Sequence, residues 1–323
     1  MQSIPNPKNF CGGNFQDWLE VNLIEKCNAK CSWCIECGGF HPEYHATTQE
    51  MIDVILKTEK TNIILLGGEP LLYKEIETLI DKLFNSDRNV YVTTNGLLLT
   101  KEFVREKLWG LVGINISIHD FDLIQNQSIT GIKLNEKILI EAIEQSEHLG
   151  IDIRLNCNLI KGHIDSYGEI LEYVRWAKRI GADKIRFAEL KDDENNFIDA
   201  SKIIPGLNND PFKEGCWTDL IIEEMPVNFR QMCGLQTKCR PKPINPKRFA
   251  KDVVYYDGKV YHGWQKEKDM DSRQKNREYL LAKIEKMFGK NMTQEQRDEF
   301  MKLMEKFQEE ELHRYHGEEG CVY

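Results

Sequence analysis

Cys27-Asn28-Ala29-Lys30-Cys31-Ser32-Trp33-Cys34 sets three thiols in C-x3-C-x2-C spacing, with an aromatic residue directly before the last. It follows the apolar run Trp18-Leu19-Glu20-Val21-Asn22-Leu23-Ile24. That run is dense enough in apolar residues for a buried parallel strand. A strand that ends in a cysteine loop is a place to hold a metal, and thiolates, as soft ligands, suit iron–sulfur clusters or zinc. A cubane held by three protein thiolates keeps one iron open to another ligand. Cys37 adds a thiol three residues on, and a four-cysteine run can also close a zinc site.

Outward from the loop, hydrophobic periodicity switches repeatedly between strand and helix. Thr47-Thr48-Gln49-Glu50 reads as a capping box, and Met51, Ile52, Ile55 and Leu56 then fall at helical spacing. Strands are expected over 62–66, 89–93, 111–118, 151–160 and 184–190, with helices over 73–84, 101–108, 134–148 and 166–180. Such alternation implies βαβ units and a parallel sheet. The pattern breaks after Leu190. Residues 201–250 are rich in proline, cysteine and turn residues. Val253-Val254-Tyr255-Tyr256, Asp257-Gly258 and Lys259-Val260-Tyr261 read as a β-hairpin. Two charged amphipathic helices are expected over 272–314, where Phe300, Leu303, Met304 and Phe307 recur at helical spacing.

The expected organisation is a lead-in over 1–16, a barrel-forming domain over 17–195 and a C-terminal extension over 196–323. With 323 residues, 41% of them hydrophobic, the chain can bury a sizeable core. No apolar run approaches a membrane span, and residues 1–10 carry no signal-peptide core, which points to a cytoplasmic protein. A net charge of −9 disfavours long nucleic acid as a partner. The basic stretch around Lys238, Arg240, Lys242, Lys247 and Arg248 reads first as a solvated loop. Ten cysteines in clusters suggest metal or redox chemistry in a reducing compartment.

The cysteine spacing and Trp33 resemble the radical S-adenosylmethionine (SAM) superfamily. So do Gly67-Gly68-Glu69-Pro70 after the second strand, Thr94-Asn95-Gly96 after the third and Ile116-Ser117-Ile118 on the fourth. The resemblance implies an α/β fold, a partial (β/α)6 TIM-type barrel, here with a smaller C-terminal α+β extension. It implies a [4Fe–4S] cluster on Cys27, Cys31 and Cys34, with Cys37 a bystander. SAM on the fourth iron is then cleaved reductively to methionine and a 5′-deoxyadenosyl radical, which takes hydrogen from a substrate. Gly67, Gly68 and Glu69 correspond to the motif that holds the methionine end of SAM. Asn95, Ser117 (ribose), Asn156 and Phe187 with Leu190 (adenine) are further cofactor-binding candidates. Ser117 can equally be a barrel-lining hydroxyl, and Phe187 and Leu190 core. Where relatives often have aspartate after the fourth-strand serine, this chain has His119-Asp120, which offers His119 as a substrate acid or base.

Cys216, Cys233 and Cys239 in the extension loosely resemble SPASM and twitch domains and suggest a second iron–sulfur cluster, completed by Cys321, His262 or substrate. They fit buried thiols or a small zinc site as well. Residues 1–26 leave no room for the N-terminal peptide-binding domain of many peptide-maturing relatives. The expected substrate is therefore a small molecule or nucleotide, with a peptide as the alternative. The expected partner is an electron donor such as a flavodoxin or ferredoxin. The rival of another class is a non-catalytic zinc or iron–sulfur protein.

Overall fold

A computed structural model describes residues 17–34, 36, 42–190, 195–207, 217–231 and 252–263. Six strands pair in chain order and in parallel: β1 (Trp18–Asn22), β2 (Asn62–Leu66), β3 (Asn89–Thr94), β4 (Gly113–Ser117), β5 (Asp152–Leu159) and β6 (Lys184–Glu189). Helices fill the crossovers: α1 (Thr48–Lys57), α2 (Ile76–Phe84), α3 (Lys101–Lys107), α4 (Leu123–Thr130), α5 (Glu136–His148) and α6 (Tyr167–Arg179). The expected α/β class and the partial TIM-type barrel are what this order describes.

The strands sort their residues by alternation. Ile63, Leu65, Val90, Val92, Ile114, Ile116, Ile153, Leu155 and Ile185 are buried on the face that meets the helices. α2 answers with Ile76, Leu79, Ile80 and Leu83, one stripe of its surface. The Thr47–Glu50 capping box forms as expected at the start of α1, and Ser166 with Glu169 forms a second at α6. Two local expectations are corrected. The segment over 73–84 starts its helix only at Ile76, because Pro70 opens a separate 3-10 turn, Pro70–Leu72. α4 was not foreseen: it lacks an apolar stripe, with Ile124 on the surface. It is defined by its ends, an Asp122 N-cap and left-handed Gly131.

The extension flanks the barrel strands on both sides. After the short α7 (Ala200–Ile203), β7 (Trp217–Ile222) and β8 (Met225–Arg230) form an antiparallel hairpin, and β8 joins β6 in parallel. β9 (Asp252–Val254) and β10 (Val260–His262) form the hairpin expected around Asp257-Gly258, and β9 joins the opposite edge beside β1. The result is one ten-stranded sheet in the order β10-β9-β1-β2-β3-β4-β5-β6-β8-β7. The two helices expected over 272–314, and Cys37, Cys216, Cys233, Cys239 and Cys321, lie outside the described residues. Among the described residues no helix is long and apolar enough to cross a membrane.

Candidate functional site

The turn after β2 lies directly against the lead-in to the three thiols. Gly68 N–H donates to the Ile24 carbonyl at 2.6 Å, and Glu69 N–H to the Lys26 carbonyl at 2.9 Å. A Cβ on Gly67, whose φ is +139°, would sit 2.5 Å from Ile24 O and 2.8 Å from Asn22 Oδ1. One on Gly68 would overlap the Glu25 and Lys26 carbonyl oxygens. Only glycine permits this approach of two backbones, and the conformation at Gly67 is one that side chains rarely adopt.

Cys27, Cys31 and Cys34 all lie on this one loop, Cys27 exposed and the others half-buried. Cys34 N–H donates to the Cys31 carbonyl at 3.2 Å and closes the turn that holds Trp33. Neighbouring elements brace the loop. Lys30 N–H donates to the Thr130 carbonyl of α4 at 2.8 Å. Asn95, past β3, donates from Nδ2 to Asn28 Oδ1 at 2.6 Å and reaches Cys27 Sγ at 4.0 Å. Ala29 N–H donates to Cys27 Sγ at 3.3 Å. Partial desolvation pushes the Cys27 thiol above its ordinary pKa, against the pull of that Ala29 bond. Three cysteines on one braced loop, with N–H donors aimed at the Cys27 sulfur, fit a [4Fe–4S] cluster held at three corners. Among the described residues no three Cys, His, Asp or Glu side chains converge as ligands of a single ion would. The separate corners of a cubane do not require that convergence.

Glu69 is committed internally. Its buried carboxylate accepts from Leu71 N–H at 3.0 Å, Thr94 Oγ1 at 2.7 Å and Asn95 N–H at 2.8 Å, tying the turn after β2 to the end of β3. Burial raises its pKa despite the three donors. What the Gly67–Glu69 turn presents is therefore mainly backbone.

The sheet face turned away from the helices is polar. Register places Ser117 beside Asn156, Asn156 beside Arg186, and Arg186 beside Asn228. Ser117 is half-buried, and its hydroxyl makes no hydrogen bond among the described residues. Arg154 Nε donates to Asn156 Oδ1 at 3.1 Å, and Arg186 Nε to Asn228 Oδ1 at 3.3 Å. No carboxylate pairs with Arg186 among the described residues. These two arginines were missed from sequence. Their signal was present in the alternation Arg154, Asn156, Asn158 and Lys184, Arg186 within apolar strands.

Phe187 is on the opposite face. It is fully buried, stacked on Phe229 at 5.4 Å between centroids and edge-on to Tyr173 of α6 at 5.3 Å. It packs within the core, as the alternation of β6 dictates. Leu190 is buried just past β6. His119, the acid–base candidate, sits just past β4. His119 is buried, its Nδ1 accepts from Asn158 N–H at 3.0 Å, and burial lowers its pKa to about 4.

The sequence profile of the Radical SAM superfamily matches residues 21–188, just over half of the chain. The GTP 3',8-cyclase of Aquifex aeolicus is 27% identical over 252 residues, covering 75% of this chain and 72% of that protein. The GTP 3',8-cyclase of Staphylococcus aureus (strain JH9) is 32% identical over 254 residues, covering 74% of this chain and 66% of that protein. The chain thus spans only part of the length of these curated relatives. The crystal structure of Streptococcus suis SuiB resembles this fold with a TM-score of 0.51 at 16% identity, over 75% of this chain and 59% of that one.

Proposed function

This chain belongs to the radical SAM superfamily, and from that premise we propose that it abstracts hydrogen from a phosphate-bearing nucleoside. It is an enzyme whose cofactors are a [4Fe–4S] cluster and SAM. When bound, the cluster supplies one electron that breaks a C–S bond of the sulfonium, giving methionine and a 5′-deoxyadenosyl radical. Cys27, Cys31 and Cys34 hold the cluster in this proposal. The Gly67–Glu69 backbone accepts hydrogen bonds from the SAM amino group, and Ser117 and Asn156 serve its ribose. Asn95 steadies the loop through Asn28. A flavodoxin or ferredoxin is the proposed electron donor.

The observation that carries the nucleotide reading is the pair Arg154 and Arg186 on the polar sheet face, with carboxamides on either side. Guanidinium groups set in such a face match phosphate oxygens in geometry and charge. The GTP 3',8-cyclases to which the chain is similar are, by name, enzymes of a purine nucleotide.

Anaerobic reconstitution with iron and sulfide, then reduction with SAM present, tests both parts. The expected result is 5′-deoxyadenosine release, stimulated by GTP more than by guanosine. Release stimulated by no nucleotide rejects the substrate reading. Stoichiometric zinc without release rejects the cluster reading. Cys31→Ala abolishes release, because a cubane left with two thiolates is labile, whereas Cys37→Ala retains it. Iron content decides whether the extension adds a second cluster: about four atoms per chain means one cubane and about eight means two.

A further inference from the structure

His119 and Trp33 meet at the junction between the cysteine loop and the carboxyl ends of β4 and β5. Their ring centroids are 5.2 Å apart and the rings are nearly perpendicular, at 89°. Trp33 is within the turn that Cys34 N–H closes onto the Cys31 carbonyl, so its orientation and that of the turn are linked. His119 itself is pinned. Its backbone N–H donates to Asn126 Oδ1 of α4 at 2.8 Å, and its Nδ1 accepts from the backbone N–H of Asn158 on β5 at 3.0 Å. With Nδ1 as acceptor, the neutral ring carries its proton on Nε2, a single tautomer. Burial keeps it neutral, its pKa lowered to about 4. α4, which holds His119 through Asn126, also grips the cysteine loop directly where Thr130 O accepts Lys30 N–H.

We propose that His119 is a positioning residue for the cysteine loop: its ring, anchored to β5 through Nδ1, fixes Trp33 and with it the turn from Cys31 to Cys34. The proposal rests on the cluster reading of the three cysteines. Groups that orient a metal-binding shell from outside typically change metal affinity or activity by about 10–100-fold when removed.

The test compares reconstituted wild type, His119→Ala and His119→Phe. It measures iron content, the rate of iron loss to bathophenanthroline, the KM for SAM, kcat and the melting temperature. His119→Ala is expected to take up iron but to lose it about tenfold faster, with KM for SAM rising more than kcat falls. His119→Phe keeps a ring against Trp33 while leaving the Asn158 N–H without its acceptor. It is expected to melt earlier, yet hold iron more nearly like wild type than like His119→Ala. If His119→Ala lowers only the melting temperature, with iron loss and KM unchanged, His119 is merely structural and the proposal fails. If His119→Phe, shown folded by circular dichroism, loses iron as fast as His119→Ala, the ring contact is not what positions the loop. A wild-type protein that takes up no iron marks a separate failure, that of the cluster reading, and removes this proposal with it.

Discussion

Thr94 shows how one hydroxyl links two functional turns. It donates to Glu69 at 2.7 Å and accepts from Gly96 N–H at 3.1 Å, with the side chain buried. Thr94→Val leaves both partners short of a bond in a buried place, at an expected cost of about 1–3 kcal/mol in urea denaturation. The pH dependence follows from Glu69, whose pKa is raised mainly by burial. The native state holds that proton more tightly than the unfolded chain does. The stability tied to it is therefore full below the unfolded value and lost as pH rises through the higher folded value. Removing a donor raises the folded value further, so the deficit of Thr94→Val should be larger at pH 8 than at pH 4.5. Equal deficits at both values contradict the assignment. At this scale the glycines and cysteines were legible in the sequence, because few other residues do what they do at such spacing. His119 was not, because its role depends on Asn158, which is 39 residues away and supplies only its backbone N–H.

Elements marked by an apolar stripe or by a glycine turn between strands were found, whereas α4, which has end signals but no stripe, and the β7–β8 hairpin, which has no turn glycine, were not. The Asp257-Gly258 turn announced its hairpin, with Gly258 at φ +72°. The β7–β8 hairpin turns at Glu223-Glu224, with φ of +47° and +67°, the sign pattern of a type I′ turn without the usual asparagine or glycine. Tertiary contacts hold it there. Arg175 on α6 donates to the Glu223 carboxylate at 2.6 Å, and Lys178 donates to the Glu223 carbonyl at 2.7 Å. Glu224 contributes only an exposed pair with Lys178 at 3.4 Å, which is worth little. Glu224→Gly should therefore relieve left-handed strain and raise stability by about 1 kcal/mol, read as a higher thermal midpoint. A lower midpoint contradicts the account.

For the whole molecule, the order of the sheet determines what supports the site. β9 lies in parallel beside β1, the strand that feeds the cysteine loop, with Val253 and Val254 fully buried. Tyr256, just past β9, donates to Glu25 two residues before Cys27, at 3.2 Å, and stacks on His45 with centroids 4.8 Å apart. Val253→Pro removes a backbone donor where β9 pairs and should cost on the order of 3 kcal/mol or more. The expected measurement is a large fall in melting temperature together with faster iron loss from the reconstituted protein. A fall in melting temperature alone would mean that the extension does not support the cysteine loop. The sequence by itself determined the alternating strands and helices, the parallel sheet, the glycine turn and the three thiols. Each follows from periodicity or from a residue whose chemistry is decided within a few positions of chain. Only the tertiary structure decided that the extension flanks the barrel on both edges, that Phe187 faces a helix, and that Arg154 and Arg186 share a polar face. These depend on which distant segments pair and in what register, and one residue of register exchanges the two faces of a strand.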